Sequence, residues 1–279
     1  MKPATVDLHW AAPQVMAIVN VTPDSFYAGS RTRTPETIER RILEAVGEGA
    51  TILDVGGYSS RPGAAEVPVE EEWARVKAGV GAARRLAPDA VVSVDTFRSE
   101  VARRVLDAFG PVIINDISAG ELDPQMLDVV ARYEVPYIAM HMKGDPQTMQ
   151  SLTEYRRDIT TEVVSYFRER VERFLAAGIR RERIILDPGF GFAKTVDQNY
   201  ELLSGLHRLC ELGFPVLAGL FRQSVRFKAP ATRPRGVLAR HGRRGWECLR
   251  QGARILRVHD VREAADTVRL FRIYEQNKH

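Results

Sequence analysis

Cysteine is nearly missing from the 279-residue chain: Cys210 and Cys248 are the only two. Their spacing suits neither a metal cage nor a disulfide framework, so a reducing cytoplasm is the expected setting. Long apolar runs are missing too. None reaches the roughly 18 residues that span a bilayer, and no signal-peptide core follows Met1. Linkers and low-complexity tracts are also lacking, which argues for one domain, and the length suits a barrel of about 250 residues.

What is present is unevenly charged. The net charge of +4 conceals a stretch from Phe221 to Arg250 with nine basic residues against Glu247 alone. That stretch carries +8 and leaves −4 for the rest. Basic runs attract phosphate backbones, but this one has only Phe227 and Trp246 as aromatics and no nucleic-acid motif, so such a partner is not expected.

Eight apolar runs alternate with helical patterns. The runs are Val15–Asn20, Ile52–Gly56, Val91–Thr96, Val112–Ile117, Tyr137–Met142, Ile184–Gly189, Pro215–Leu220 and Arg254–Asp260. Near-continuous Val, Ile and Leu mark parallel strands buried on both faces. Between them, Thr34-Pro35-Glu36 opens a helix whose inner face is Ile38, Ile42, Ala45 and Val46. Trp73, Val76, Val80 and Ala83 form a second stripe, Ser99 is placed to cap a third helix, and Ile159 to Phe174 mark a long fifth. Eight βα units predict a single-domain α/β fold, a (β/α)8 barrel over residues 15–279. Residues 1–14 precede it as an extension or bottom cap. A doubly wound open sheet is the alternative.

The connections after the first, second and fifth strands are long, residues 21–33, 57–68 and 143–154, which points to the βα face as the working face. The strand ends on that face are polar: Asn20, Asp54, Asp95, Asn115 with Asp116, His141, Asp187, and Arg257 with His259. Asp187 ends an apolar run and leads into Pro188-Gly189-Phe190-Gly191-Phe192. A carboxylate there can accept two parallel N–H donors from a flat heterocycle lying beside Phe190 and Phe192. Asn20 offers a single hard oxygen of the kind Mg²⁺ uses when phosphates supply the rest. Arg61, Arg257 and His259 gather positive charge where barrels bind phosphate. Taken singly, Asp95 and Asp116 also read as helix caps, and His141 and His259 as structural histidines.

In order along the chain stand Asn20-Val-Thr-Pro-Asp-Ser-Phe26, Asp54–Gly63, Ser93-Val-Asp-Thr96, Ile114-Asn-Asp-Ile117, Met140-His-Met142, Asp187–Thr195 and Arg257-Val-His-Asp260. This series resembles the dihydropteroate synthase family, from about Val15 to Phe271. The resemblance implies a (β/α)8 barrel, commonly a homodimer through its last two helices. The implied enzyme joins p-aminobenzoate to the pyrophosphate ester of 6-hydroxymethyl-7,8-dihydropterin. It further implies that Asp95, Asn115 and Asp187 take the pterin edge, with Met140 and Phe192 beside the ring. Asn20 would help hold Mg²⁺ and pyrophosphate, while Ser60, Arg61, Arg257 and His259 would bind the pyrophosphate. Ser224 would approach p-aminobenzoate, and Asp95, Asp187 and Arg257 would carry the catalytic electrostatics.

Two departures stand out. The family's lysine after strand seven is Gln223 here, which raises the alternative of a pterin-binding barrel with weakened synthase activity. From Val225 to Arg250 the family pattern is lost, and Gly236, Gly242 and Gly245 make the stretch a poor helix, at about 1 kcal/mol each. Length is conserved across it, as a compensated frameshift would leave it.

Overall fold

The computed structural model describes residues 12–22, 35–58, 66–220 and 235–278. Eight parallel strands form one sheet: β1 (Gln14–Asn20), β2 (Ile52–Gly56), β3 (Val91–Asp95), β4 (Ile113–Asp116), β5 (Tyr137–Met140), β6 (Ile184–Asp187), β7 (Leu217–Leu220) and β8 (Ile255–Val258). The pairing order is β6-β5-β4-β3-β2-β1-β8-β7. A bridge between Leu186 and Val216 joins β6 to β7 and closes the barrel. The open-sheet alternative is thereby excluded.

Alternation of side chains along each strand explains the interior. Each of the eight strands sends one residue to a single apolar ring: Met16, Ile52, Val91, Ile113, Ile138, Ile185, Leu217 and Ile255. The intervening positions, such as Leu53, Val92, Ile114 and Leu186, face outward and form the main core with the helices. Both faces of each strand are therefore covered, which is why the runs are continuously apolar.

The helices pack outside this sheet: α1 (Pro35–Gly47), α2 (Val69–Leu86), α3 (Ser99–Phe109), α4 (Gln125–Tyr133), α5 (Ile159–Ala176), α6 (Val196–Ser204), α7 (Leu206–Cys210), α8 (Arg235–Arg250) and α9 (Val261–Gln276). Helix α5 matches its expected stripe, burying Ile159, Val163, Phe167, Val171 and Phe174 behind an Asp158 cap. In α1, Ile38, Ile42 and Ala45 are buried as expected. Val46 is not; it lies outside the stripe and is exposed.

Two other expectations fail. Ser99 does not cap α3 but is its first residue, and its amide donates to Asp123 Oδ2 at 2.7 Å. A carboxylate 24 residues away thus does the capping. The stretch read as a poor helix is helical from Arg235 to Arg250. Tertiary contact overrides its glycines: Cys248 and Leu249 are buried, and Trp246 packs edge-on against Phe271 and Tyr274 of α9. Among the described residues no helix is long and apolar enough to cross a membrane.

Candidate active site

Two residues above the apolar ring, the inward positions change chemistry. They hold Asp54 on β2, Ser93 on β3, Asn115 on β4, Met140 on β5, Asp187 on β6 and Arg257 on β8. The hub is Asp54, only 1% exposed. It accepts from Ser93 Oγ at 2.6 Å, from Asn115 Nδ2 at 3.1 Å and from Arg257 Nε at 2.6 Å. The other edge of the same guanidinium reaches Asp95, with Nη2 at 2.5 Å from Oδ2. Sequence reading had noted Asp54 as a strand end without giving it a task. Its signal was the period of two, which sets it directly above Ile52 on the inner face.

Arg257 is buried and is held even more firmly protonated by Asp54 and Asp95. One guanidinium nevertheless faces three carboxylates. Burial pushes the Asp187 carboxyl up to about 6, against the amide of Gly189 and the charges of Arg257 and Lys194. Burial also pushes Asp95 upward, and Arg257 opposes it. With 23% of its side chain exposed, Asp95 keeps some water, and the upward direction reflects crowding by Asp54 as well. Among the described residues, the carboxylates of this layer thus outnumber its guanidinium.

The β6–α6 turn beside it is tightly determined. Gly189 has φ 67°, and a Cβ there would lie 2.1 Å from the carbonyl oxygen of His141. Only glycine fits. Its amide donates to Asp187 Oδ1 at 2.8 Å, orienting the carboxylate. Farther along, Thr195 caps α6 through a reciprocal pair with Gln198.

An apolar wall stands next to the polar layer, built of Met140, Met142, Met149, Ile117, Phe192 and Ala193, with Phe97 at its margin. The expected pair of rings is split. Phe192 lines this wall, whereas Phe190 joins the core outside the barrel. Met140 stands in the wall as expected; Ile117, Met142, Met149, Ala193 and Phe97 carry no such signal, because isolated apolar residues after strands resemble ordinary core.

The remaining expected residues divide. Asn20 ends β1 on the rim, half-buried, and His259 follows β8, its carbonyl accepting from Arg41. Ser60, Arg61, Gln223 and Ser224 lie outside the described residues. Asp116 turns away from the barrel interior: it accepts from Ser118, Gly120 and Tyr137 and ties down the β4–α4 connection. His141 is structural in the same sense, 5% exposed with Nδ1 at 3.0 Å from Lys194 Nζ. Beside Asp95, the buried carboxylate of Glu72 accepts from Thr96 and Arg98 and braces the return of the β2–α2 loop, because Arg98 also bonds the Val67 carbonyl.

Carboxylates with spare acceptor capacity, a buried amide and a methionine–phenylalanine wall define a barrel enzyme for a flat, nitrogen-rich ring. Comparison with known proteins agrees. The family profile described as pterin binding enzyme matches residues 16–259. The dihydropteroate synthase of Synechocystis sp. is 42% identical over 259 residues, covering 90% of this chain and 86% of that protein. The solved structure of the Yersinia pestis dihydropteroate synthase with a sulfonamide drug complex superposes with a TM-score of 0.88 at 35% identity, over 98% of this chain and 97% of that one. The Xanthomonas albilineans enzyme with 4-aminobenzoic acid gives 0.84 at 40% identity, over 96% and 95%. The chain belongs to the pterin binding enzymes and, within them, to the dihydropteroate synthase family.

Proposed function

We infer that this rim serves the dihydropteroate synthase reaction of folate biosynthesis, with the pterin seated between the polar layer and the apolar wall. The chain is a transferase. It joins p-aminobenzoate to 6-hydroxymethyl-7,8-dihydropterin pyrophosphate and releases pyrophosphate. The observation that carries the assignment of residues is the excess of buried carboxylate facing Phe192 and Met140. Asp187 and Asp95 receive the ring's N–H donors, and Asn115, its amide nitrogen turned to Asp54, offers its carbonyl oxygen.

In the chemical step the C–O bond of the ester breaks and pyrophosphate leaves with the electron pair. Arg257 and His259, with Ser60 and Arg61 on the β2 loop, stabilise the departing charge. The methylene left behind is cationic, and Asp95 and Asp187 balance the charge that spreads into the ring. The aryl amine, neutral at pH 7, forms the C–N bond and gives up a proton to solvent. Positioning and electrostatics carry the rate. Gln223 and Ser224 flank the second substrate.

Among the described residues there is no cluster of three His, Cys, Asp or Glu side chains fit to hold a metal. The single amide oxygen of Asn20 on the rim fits a Mg²⁺ ion whose other ligands are phosphate oxygens and water. When bound, that ion neutralises pyrophosphate. A homodimer through α8 and α9 belongs to the same proposal, supported by the exposure of Leu270, Ile273 and Tyr274 on α9. The two free thiols support a cytoplasmic setting.

Arg257→Ala tests the assignment by calorimetric titration. It should weaken the pyrophosphate ester at least tenfold more than the bare hydroxymethyl pterin, since charge-assisted bonds are worth roughly 1.5–3 kcal/mol. Equal losses for both ligands would remove Arg257 from the pyrophosphate site.

A further inference from the structure

Lys194 is a buried cation to which the reaction above gives no task. It is 6% exposed, and its Nζ lies 2.9 Å from the Gly189 carbonyl, 2.9 Å from the Phe192 carbonyl and 3.0 Å from His141 Nδ1. All three acceptors are uncharged. An ammonium has three N–H donors, so this set uses it fully. The histidine must then accept at Nδ1 and carry its proton on Nε2. Burial and the neighbouring Lys194 and Lys143 hold His141 neutral.

The two carbonyls belong to the residues that bracket Phe190 and Gly191. Between them they set the turn that presents the Phe192 ring, and the Gly189 amide orients Asp187. The turn is strained: Ala193 has φ 51°. Two neutral groups brace it from other sides, Tyr155 OH on the Ala193 carbonyl at 2.9 Å and Asn199 Oδ1 under the Gly191 amide at 2.7 Å. Lys194 braces it with a charge. Among the described residues, the charged groups that act most on Asp187 are Arg257 from β8, Lys194 from the turn itself and Asp54 from β2.

We propose that Lys194 is a positioning residue for pterin capture, fixing the Gly189–Phe192 turn and supplying a charge that favours the carboxylate form of Asp187. The inference rests on the pterin reading given above. Burial pulls Lys194 itself down to about 7, and Asp187 opposes that fall, so the two groups support each other's charged forms.

The test is titration of the parent, Lys194→Gln and Tyr155→Phe with 6-hydroxymethyl-7,8-dihydropterin between pH 5.5 and 8.5. Tyr155→Phe loosens the same turn without touching charge and should lower affinity by one factor throughout. Lys194→Gln should move the acidic limb upward, binding at least tenfold more weakly at pH 6 but only about threefold at pH 8. A loss independent of pH, or none, overturns the proposal. The parent offers a second measurement should Lys194→Gln fail to fold. The chain has six lysines, so the ¹³Cε signal of Lys194 can be followed in labelled protein. By reciprocity, pterin binding should raise its titration midpoint; an unmoved midpoint overturns the proposal. A parent that binds no pterin at any pH overturns the pterin reading and this inference together, whereas a binding parent with parallel profiles overturns this one alone.

Discussion

The lower ring of the barrel and the layer above it share strands, direction and burial, and differ in almost everything else. The ring takes a methionine, a valine, a leucine and five isoleucines, one from each strand. One alternation higher, roughly 7 Å along the strand, the same staves carry Asp54, Ser93, Asn115, Asp187 and Arg257. Below, each side chain stabilises the fold by leaving water, about 1.5–3 kcal/mol apiece. Above, each is tolerated only because another group answers it, and the answers are incomplete: one guanidinium serves Asp54 and Asp187 in the layer and Asp95 one alternation beyond it. The difference teaches that stability and ligand capacity are separated by a single step along each strand. On the proposed pterin reading, the upper layer's charge imbalance is the part that a ligand's N–H groups complete.

The largest expected effect tests the lower layer. Ile138→Ala should lose about 2–5 kcal/mol of stability through the cavity it leaves, read by urea denaturation. The folded variant should bind pterin within twofold of the parent. A matching loss of affinity would mean the layers are not separable.

Asp187→Asn should do the reverse. The amide oxygen still accepts from Gly189, but an NH₂ now meets a ring donor, weakening pterin binding by about 1–3 kcal/mol. Stability should rise. The native carboxyl is pushed up to about 6 from 3.8, so its ionisation opposes folding, starting above the lower value and fully above the higher. The variant should therefore melt higher than the parent at pH 7.5 and alike at pH 3.5. A variant less stable at pH 7.5 contradicts this account of the upper layer.

The smallest effect lies beyond both layers, at Gln223. Restoring a charge with Gln223→Lys should raise turnover at low p-aminobenzoate by roughly tenfold, the equivalent of about 1.4 kcal/mol, and leave stability unchanged. No gain in steady-state rate would make Gln223 a neutral replacement.

The barrel was legible because period-two and period-3.6 patterns report burial directly, and β1 to β8 fell where the apolar runs did. The strand-end residues Asn115, Asp187 and Arg257 were legible because polar groups interrupt those runs. What stayed hidden depended on partners distant in sequence. Asp123 caps α3 from 24 residues away, so Ser99 looked like the cap. Glu72 is one of three acids in the first turn of α2, yet Thr96 and Arg98 draw it into the interior. The glycines of α8 argue against a helix by propensity, while its docking on α9 decides the outcome. Lys194 lies in a glycine-rich connection, and nothing local announces that His141 waits 53 residues upstream.

The pairing of Arg257 with Asp54 spans 203 residues. For a chain emerging from a ribosome, the carboxylates of β2, β3 and β6 are all delivered before the arginine that pairs with two of them. An incomplete nascent barrel therefore lacks the one group that makes dehydrating those carboxylates tolerable, and the rim stays hydrated until β8 docks beside β1. Synthesis order thus makes the binding pocket the last part of the barrel to become dry.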